Sequence, residues 1–519
     1  KEEVLFMEVP QVVTASKRAE SLDKAPSVTY VVTADQIKRW AARSLAEVLK
    51  RVPGMRISVR ESSLIGSRGF TSDQNDKFVI LIDGMPIRNV IQDGSYNLAD
   101  MPDMDMVERI EVVKGPGSTL WGSDAAFGVI NIITKKGGDV GGIKVSLNNS
   151  TNDNRKIANV LSGDKFDNGD YLFSLTLTDS NGFGDQGPDR GGSCYDWNYP
   201  TGTDHNANEN VPAGNKGSVP GDAARYLDFR PGFELYSKVR FGETTVKSRA
   251  AYLEQESLWE AAYNKCDETN AMKHLASEIE NVKDLGNNGE LTTKLGVHTF
   301  SYIRSEPYGA TDPTLTSKID NYTETGLDAE TFLNKKIADK HNIILGAKAI
   351  STLIGPCETA QYYVATGKPT GVTTGEETYL ISLPPTQDNT CGVYLEDSYS
   401  LNDRTTLVGG LGVDYNDLRE KTAQLMPRAA AVFQLSDAIT AKYTFNNGYE
   451  RPPALKKFGL GQPYGYVRNS ESISEHDLEL IYDREKTRAT ATAYSYHVNN
   501  YFMFGKDPVT GNLGQINFG

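Results

Sequence analysis

No stretch of this 519-residue sequence approaches the ~18–20 consecutive apolar residues that a membrane-spanning helix needs. That absence excludes helical spans and nothing else, because a membrane β-barrel writes only alternating segments of about ten residues. Basic blocks are missing too. Lys and Arg total 54 against 68 Asp and Glu, a formal net charge of −14, so no nucleic acid is expected as partner. The six histidines come with no HExxH, no GxSxG and no Cys–His constellation, so neither an enzyme nor a bound cofactor is expected. The four cysteines, Cys194, Cys266, Cys357 and Cys391, include no CxxC, which removes zinc and thioredoxin-type readings. A start at Lys1 without an initiator Met fits a mature chain whose signal peptide has been removed, and export permits disulfides. Pairing neighbours along the chain joins Cys194 with Cys266 and Cys357 with Cys391, the other connectivities staying open.

What the sequence does contain is a glycine-rich turn between short apolar strands, VVKGPGSTLWGSDAAFGVINIITKK over residues 112–136. A phosphate cradle needs a helix after its glycines, whose N-terminal amides and dipole hold the anion. Here the β-branched VINIIT follows instead, and the lysine precedes the glycines, so nucleotide binding is not expected. Residues 1–140 read as mixed α and β. SVTYVVT is a strand leading to a helix capped near Thr33 or Asp35; a second helix starts at Ser44 and is stopped by Pro53-Gly54. FVILIDGMPI, VERIEVVKG and VINIITKK then give three short strands.

From Gly141 onward the pattern changes to long alternating strands, about fifteen by the period-two criterion. Short turns such as FDNGD, GNNG and LNDR alternate with long polar loops, residues 180–231 and 355–390 among them, and every cysteine falls in or beside a long loop. One rim of short turns and one of long loops is what a transmembrane antiparallel β-barrel produces, so the fold class is mainly β with an N-terminal α+β domain. In the loop DSNGFGDQGPDRGG, Asp179, Asn181 and Asp185 have an oxygen-rich spacing that would suit calcium. Phe183, however, stands where an EF-hand carries Asp or Asn, and no bidentate Glu follows.

Residues 12–136 carry a family resemblance. VVTASKR, TADQI, LAEVLKRVPGMRI, GSRGF, ILIDGMPI and VERIEVVKGPGSTLWGSDAAFGVINIITKK stand in the order and spacing of the plug domain of TonB-dependent outer-membrane transporters, and NGYERPPALKKFG resembles a later barrel segment. The resemblance implies a plug (16–140) occluding a barrel (141–519) of 22 strands. Roughly six or seven strands are then still to come, on a continuation of the chain or on a second polypeptide, because an open wall would expose backbone groups to lipid. The GP and WG turns become devices for folding strands tightly inside a lumen.

The resemblance also implies sites. Arg68 and Lys114, the latter where arginine is usual, lock the plug together with Glu108, Glu111 and a barrel partner, Glu475; lysine keeps the charge there but loses the bidentate fork. Plug apices carrying Asp73, Gln74, Asn75 and Asp76, and Arg88, Gln92 and Tyr96, face the ligand. A mobile segment, 1–15, docks TonB by strand addition through Glu3, Val4, Leu5, Phe6 and Met7 or through Val12, Val13, Thr14 and Ala15. The implied function is TonB-dependent active uptake of a scarce, bulky ligand across the bacterial outer membrane, a ferric siderophore or other metal chelate first, with cobalamin, haem or glycan uptake, or a non-transporting surface receptor or adhesion protein, as alternatives. Haem would call for a histidine after RPPAL, and only His476 follows nearby. The implied partners are TonB with its inner-membrane energising complex, outer-membrane lipid and lipopolysaccharide, and a small-molecule metal chelate.

Overall fold

The computed structural model describes residues 11–59, 63–71, 75–91, 103–150, 155–181, 228–256, 269–307, 315–363, 378–458, 469–484, 487–506 and 513–518. The N-terminal domain holds β1 (Gln11–Val12), β2 (Glu20–Ser21), β3 (Val28–Thr33), α1 (Ala34–Trp40), α2 (Leu45–Leu49), β4 (Met55–Val59), β5 (Ser63–Ser67), β6 (Phe70–Thr71), β7 (Phe78–Ile82), β8 (Met85–Pro86), β9 (Val107–Lys114), α3 (Ser118–Trp121), β10 (Gly128–Thr134) and α4 (Gly137–Val140). Both main helices start where their caps allow. The Thr33 hydroxyl accepts Gln36 N while the Gln36 side chain accepts Thr33 N, and Ser44 accepts Glu47 N at 3.3 Å, so orphan donors of the first turns are satisfied. The central sheet runs β3-β9-β10-β7-β8, with β7 and β10 parallel. Every residue of β7 is buried, which is why FVILI reads as an unbroken apolar run. The core gathers Val32, Ile37, Leu49, Ile80, Ile110 and Ile130. After the glycine turn comes one helical turn, α3, four residues long, before β10.

The remainder is one antiparallel sheet of β11 (Gly142–Asn149), β12 (Lys156–Phe166), β13 (Gly169–Asn181), β14 (Asp228–Phe241), β15 (Thr244–Glu256), β16 (Thr269–Gly286), β17 (Gly289–Pro307), β18 (Leu315–Ile337), β19 (His341–Ile354), β20 (Cys357–Tyr363), β21 (Thr378–Leu383), β22 (Thr386–Asn402), β23 (Thr405–Asn416), β24 (Ala423–Ser436), β25 (Ile439–Glu450), β26 (Glu471–Arg484) and β27 (Thr487–Asn499). β20 and β21 form a hairpin on the upper part of β18, and β19 pairs onward with β22, which leaves fifteen strands in the wall. β11 and β27 stand at the two ends of the strand order; β28 (Tyr501–Lys506) and β29 (Leu513–Phe518) pair separately.

Polarity in this wall is inverted relative to a water-soluble protein. Leu295, Leu327, Leu345, Leu395 and Leu411 point outward and are exposed, while Glu234, Arg249, Glu396, Arg428, Lys442 and Glu475 point inward and are buried. An apolar exterior with a charged interior is the arrangement lipid imposes on a barrel.

Three expectations are corrected by this architecture. The loop read as irregular over 355–390 contains the β20–β21 hairpin. Cys357 and Cys391 are free thiols: Cys357 is buried in β20 opposite Leu383, whereas Cys391 is exposed on the outer face of β22, so the pairing by chain order fails because the two lie on different strands and different faces. Asp179 and Asn181 are not loop residues but ladder residues of β13, opposite Lys156 and Asp228, and among the described residues no cluster of three His, Cys, Asp or Glu could hold a metal ion. Cys194, Cys266 and Asp185 lie outside the described residues.

Candidate functional site

The functional geometry lies where the plug meets the inner face of the wall. Arg68 stands in the turn between β5 and β6 with φ +53, followed by Gly69 at +96, a reversal that aims its side chain outward from the plug. Its guanidinium pairs with Glu475 and, at 2.8 Å, with Asp477, both on β26, and lies 4.7 Å from the Tyr494 ring. All three charged side chains are buried. Lys114 is not part of this cluster. It donates to Pro53 O at 2.9 Å, within the plug, and burial together with the Arg68 charge lowers its ammonium to about 8. The reason is the next residue: Gly115 has φ +89, and Glu475 packs against its bare Cα, so the carboxylate meets the plug at the glycine, not at the lysine. Glu108 is exposed on β9, and Glu111 is buried with a different duty described below.

Further ties join plug and wall without any motif in the sequence. Lys77 is buried and reaches Glu471 at 2.9 Å, with the Phe502 ring 4.9 Å from its ammonium. Burial disfavours that charge, yet Asp76, Glu471 and Glu450 outweigh it and hold the pKa above the ordinary lysine value. Glu324 on β18 accepts Val90 N at 2.9 Å and Ile91 N at 3.0 Å. Asp83 pairs with Lys238 at 2.8 Å and accepts from Tyr236 OH at 2.9 Å; Lys238 and hydrogen bonds from Thr134 keep its carboxyl below the usual range despite burial. Asp103 accepts from Ser174 Oγ at 2.7 Å, and burial with the nearby Glu234 charge pushes it up to about 7. No sequence signal marks these pairs, which are separated by tens to hundreds of residues.

Asn75 and Asp76 are fully buried, and Asn75 Oδ1 accepts Ile65 N at 2.7 Å, so neither is presented to a ligand as expected. Asp73, Gln74, Gln92 and Tyr96 lie outside the described residues. Arg88 is partly exposed, 3.8 Å from Asp328, and lines a cavity with Asp388, Asp414, Arg419 and Arg451 near the loop ends of β22, β23 and β25. His476 faces outward on β26, bonded to Tyr443 OH at 2.9 Å, and so does not overlook the lumen.

The N-terminal segment is held on several sides. Glu111 accepts Val13 N at 2.9 Å, Thr14 N at 3.0 Å and Thr14 Oγ1 at 2.6 Å, while Trp121 Nε1 donates to Thr14 O at 3.1 Å. Arg428 on β24 donates to Ala15 O at 3.0 Å and to Pro26 O at 2.7 Å, and itself pairs with Glu396 at 2.9 Å. Val12, Thr14 and Ala15 are buried. Val12–Ala15 is thus packed plug, unavailable to a partner's sheet edge until it undocks; Glu3–Met7 lies outside the described residues.

A domain occluding a polar lumen, fastened by buried ion pairs, with the residues just after its first strand tied into both plug and wall, agrees with the family comparisons. The family described as TonB-dependent Receptor Plug Domain matches residues 21–129, and that described as TonB dependent receptor-like, beta-barrel matches residues 135–519. The chain belongs to the TonB-dependent receptor family. Membership makes it a β-barrel of the outer membrane. The vitamin B12 transporter BtuB of Vibrio vulnificus (strain CMCP6) is 36% identical over 185 residues, a stretch that is 35% of this chain and 29% of that protein. Among solved structures, a mutant of the ferric enterobactin receptor PfeA from Pseudomonas aeruginosa superposes with a TM-score of 0.68 at 17% identity, over 98% of this chain and 77% of that one. The pyoverdine outer membrane receptor FpvA from Pseudomonas aeruginosa PAO1 gives 0.71 at 13% identity, over 99% and 76%. At such identities the two structures establish the shared fold.

Proposed function

We propose that this protein performs TonB-dependent uptake of a bulky metal chelate across the outer membrane, a ferric siderophore or a corrinoid. The observation that carries the reading is how the plug is fastened. Arg68, Lys77, Asp83, Val90 and Ala15 each tie it to the wall through ion pairs or hydrogen bonds, contacts that water replaces when the plug shifts. A corrinoid is favoured within the chelate class by the sequence likeness to a vitamin B12 transporter. A ferric siderophore is the alternative within that class, since a ferric enterobactin receptor and a pyoverdine receptor share the fold. Docking of TonB falls to Glu3–Met7, because Val12–Ala15 is committed to Glu111, Trp121 and Arg428. No step changes the ligand covalently.

The test is uptake of labelled cobalamin and of labelled ferric chelates by cells carrying this protein as their only receptor, with and without TonB. Uptake that needs TonB and is lost on deleting residues 1–10, with surface binding of the same ligand retained, supports the reading. Binding without TonB-dependent accumulation would make the protein a surface receptor instead.

A further inference from the structure

Two small cavities lie one above the other between the plug and strands β16–β19, β22 and β23. The upper reaches Asp388, Asp414 and Arg451 at the loop rim; the lower is bounded by Glu278, Lys294, Asp328 and Glu330. They share Arg88, Trp121, Lys348 and Ile350, which form the neck between them. Their volumes, about 30 and 40 Å³, admit a few waters, so no chelate passes this column as it stands.

Lys17 stands at its lower end. Its ammonium pairs with Glu330, donates to Tyr394 OH at 3.3 Å, and lies 4.3 Å from the Trp121 ring, 4.8 Å from that of Tyr394 and 5.5 Å from that of Phe332. The register fixes the direction. Glu330 pairs with Lys348, whereas Phe332 and Tyr394 both oppose Gly346, one side-chain step nearer the short turn at residues 338–340. The Lys17 side chain is therefore the periplasmic floor of the column, and it follows closely on Val13 and Thr14, the residues tied to Glu111 and Trp121.

The geometry points to Lys17 as the gate of this column: withdrawing residues 12–17 removes its side chain from the aromatic and carboxylate cup and opens the cavities toward the periplasm. The inference rests on the transporter reading and names the residue through which a pull becomes an opening. Two features favour it. Trp121, part of the neck, loses its acceptor Thr14 O in the same movement, so floor and neck loosen together. Glu330 does not become an orphaned charge, because Tyr394 OH still donates to it at 2.9 Å and Lys294 and Lys348 stand opposite it on the two adjacent strands. A buried carboxylate left alone would resist the step.

The test is ion conductance of the full-length protein in planar bilayers in potassium chloride, with neither ligand nor TonB. Lys17→Cys is expected to raise the leak at least tenfold over the unaltered protein. Treatment with 2-aminoethyl methanethiosulfonate, which rebuilds a lysine-like ammonium on that thiol, should close it again, and reductant should reopen it. The unaltered protein, carrying its own cysteines, should not respond. A Lys17→Cys protein as tight as the unaltered one overturns the gate. So does a leak that aminoethylation leaves unchanged, since that reports a lost plug instead of a missing side chain. Because neither TonB nor ligand enters the measurement, a closed-and-reopened leak alongside failed TonB-dependent uptake would sink the transporter reading and keep the gate; the opposite pair of results would do the reverse.

Discussion

Arg68 faces two buried carboxylates on adjacent inward positions of β26, so one guanidinium neutralises a pair that would otherwise repel. Removing one partner of a buried ion pair costs more than the pair itself contributes, because the remaining charge is stranded. Arg68→Met is expected to loosen the plug by about 3–5 kcal/mol, read as a lower urea concentration for plug release in detergent, with Arg68→Lys intermediate. An unchanged midpoint for Arg68→Met would mean that Glu475 and Asp477 are satisfied by water. Lys17 permits a test with pH. Burial lowers its ammonium from 10.5 to about 8, although Glu330 acts the other way, with Lys294 and Lys348 adding to the lowering. A pKa lower in the docked than in the undocked segment means that docking releases protons. Docking should therefore strengthen as pH rises from about 8 to about 10.5, by at most about 3 kcal/mol, and be weakest below 8. A spin label at Gln11, which is exposed, should lose its mobile fraction across that interval in the unaltered protein and show a flat response in Lys17→Met.

At the scale of elements, local signals were readable and distant ones were not. The caps at Thr33 and Ser44, the glycine turn before β10 and the alternation of the wall strands depend on residues within a few positions of one another, and each stands in the sequence. The partner of Arg68 lies 407 residues away and was reached only through the family resemblance, while Glu324 with Val90 and Lys17 with Glu330 have no motif at all. The cysteine pairing failed for the same reason, since neighbours in chain order are not neighbours in a ladder. Gly115 shows where a short element and a distant residue meet. Its φ of +89 is costly for any side chain, and a Cβ there would overlap the Glu475 carboxylate. Gly141 also has positive φ, at +62, but open space beyond. Gly141→Ala should therefore cost only about 1–2 kcal/mol of backbone strain, while Gly115→Ala should also displace Glu475 from Arg68. Urea release of the plug should fall clearly further for Gly115→Ala; equal losses would show that the carboxylate moves aside freely.

For the whole molecule the decisive property is the inverted polarity of the wall, visible in the sequence as period-two alternation but without a sign. Alternation says that two faces differ; which face meets lipid follows only from closing the sheet around a plug. Leu345, Leu395 and Leu411 oppose one another across three neighbouring strands and are 52%, 49% and 46% exposed, whereas Glu396, one residue along, is fully buried and bound to Arg428. Outward leucines in a row lower the free energy only if hydrocarbon surrounds them. Leu395→Arg should then weaken insertion by about 2–4 kcal/mol, the cost of a cation near the middle of the bilayer on the lipid face. Leu395→Ala, which leaves the outer face apolar, should change it far less. Denaturant titration of folding into lipid vesicles measures both. If Leu395→Arg inserted as well as the unaltered protein, the outer face of β22 would not be in contact with lipid.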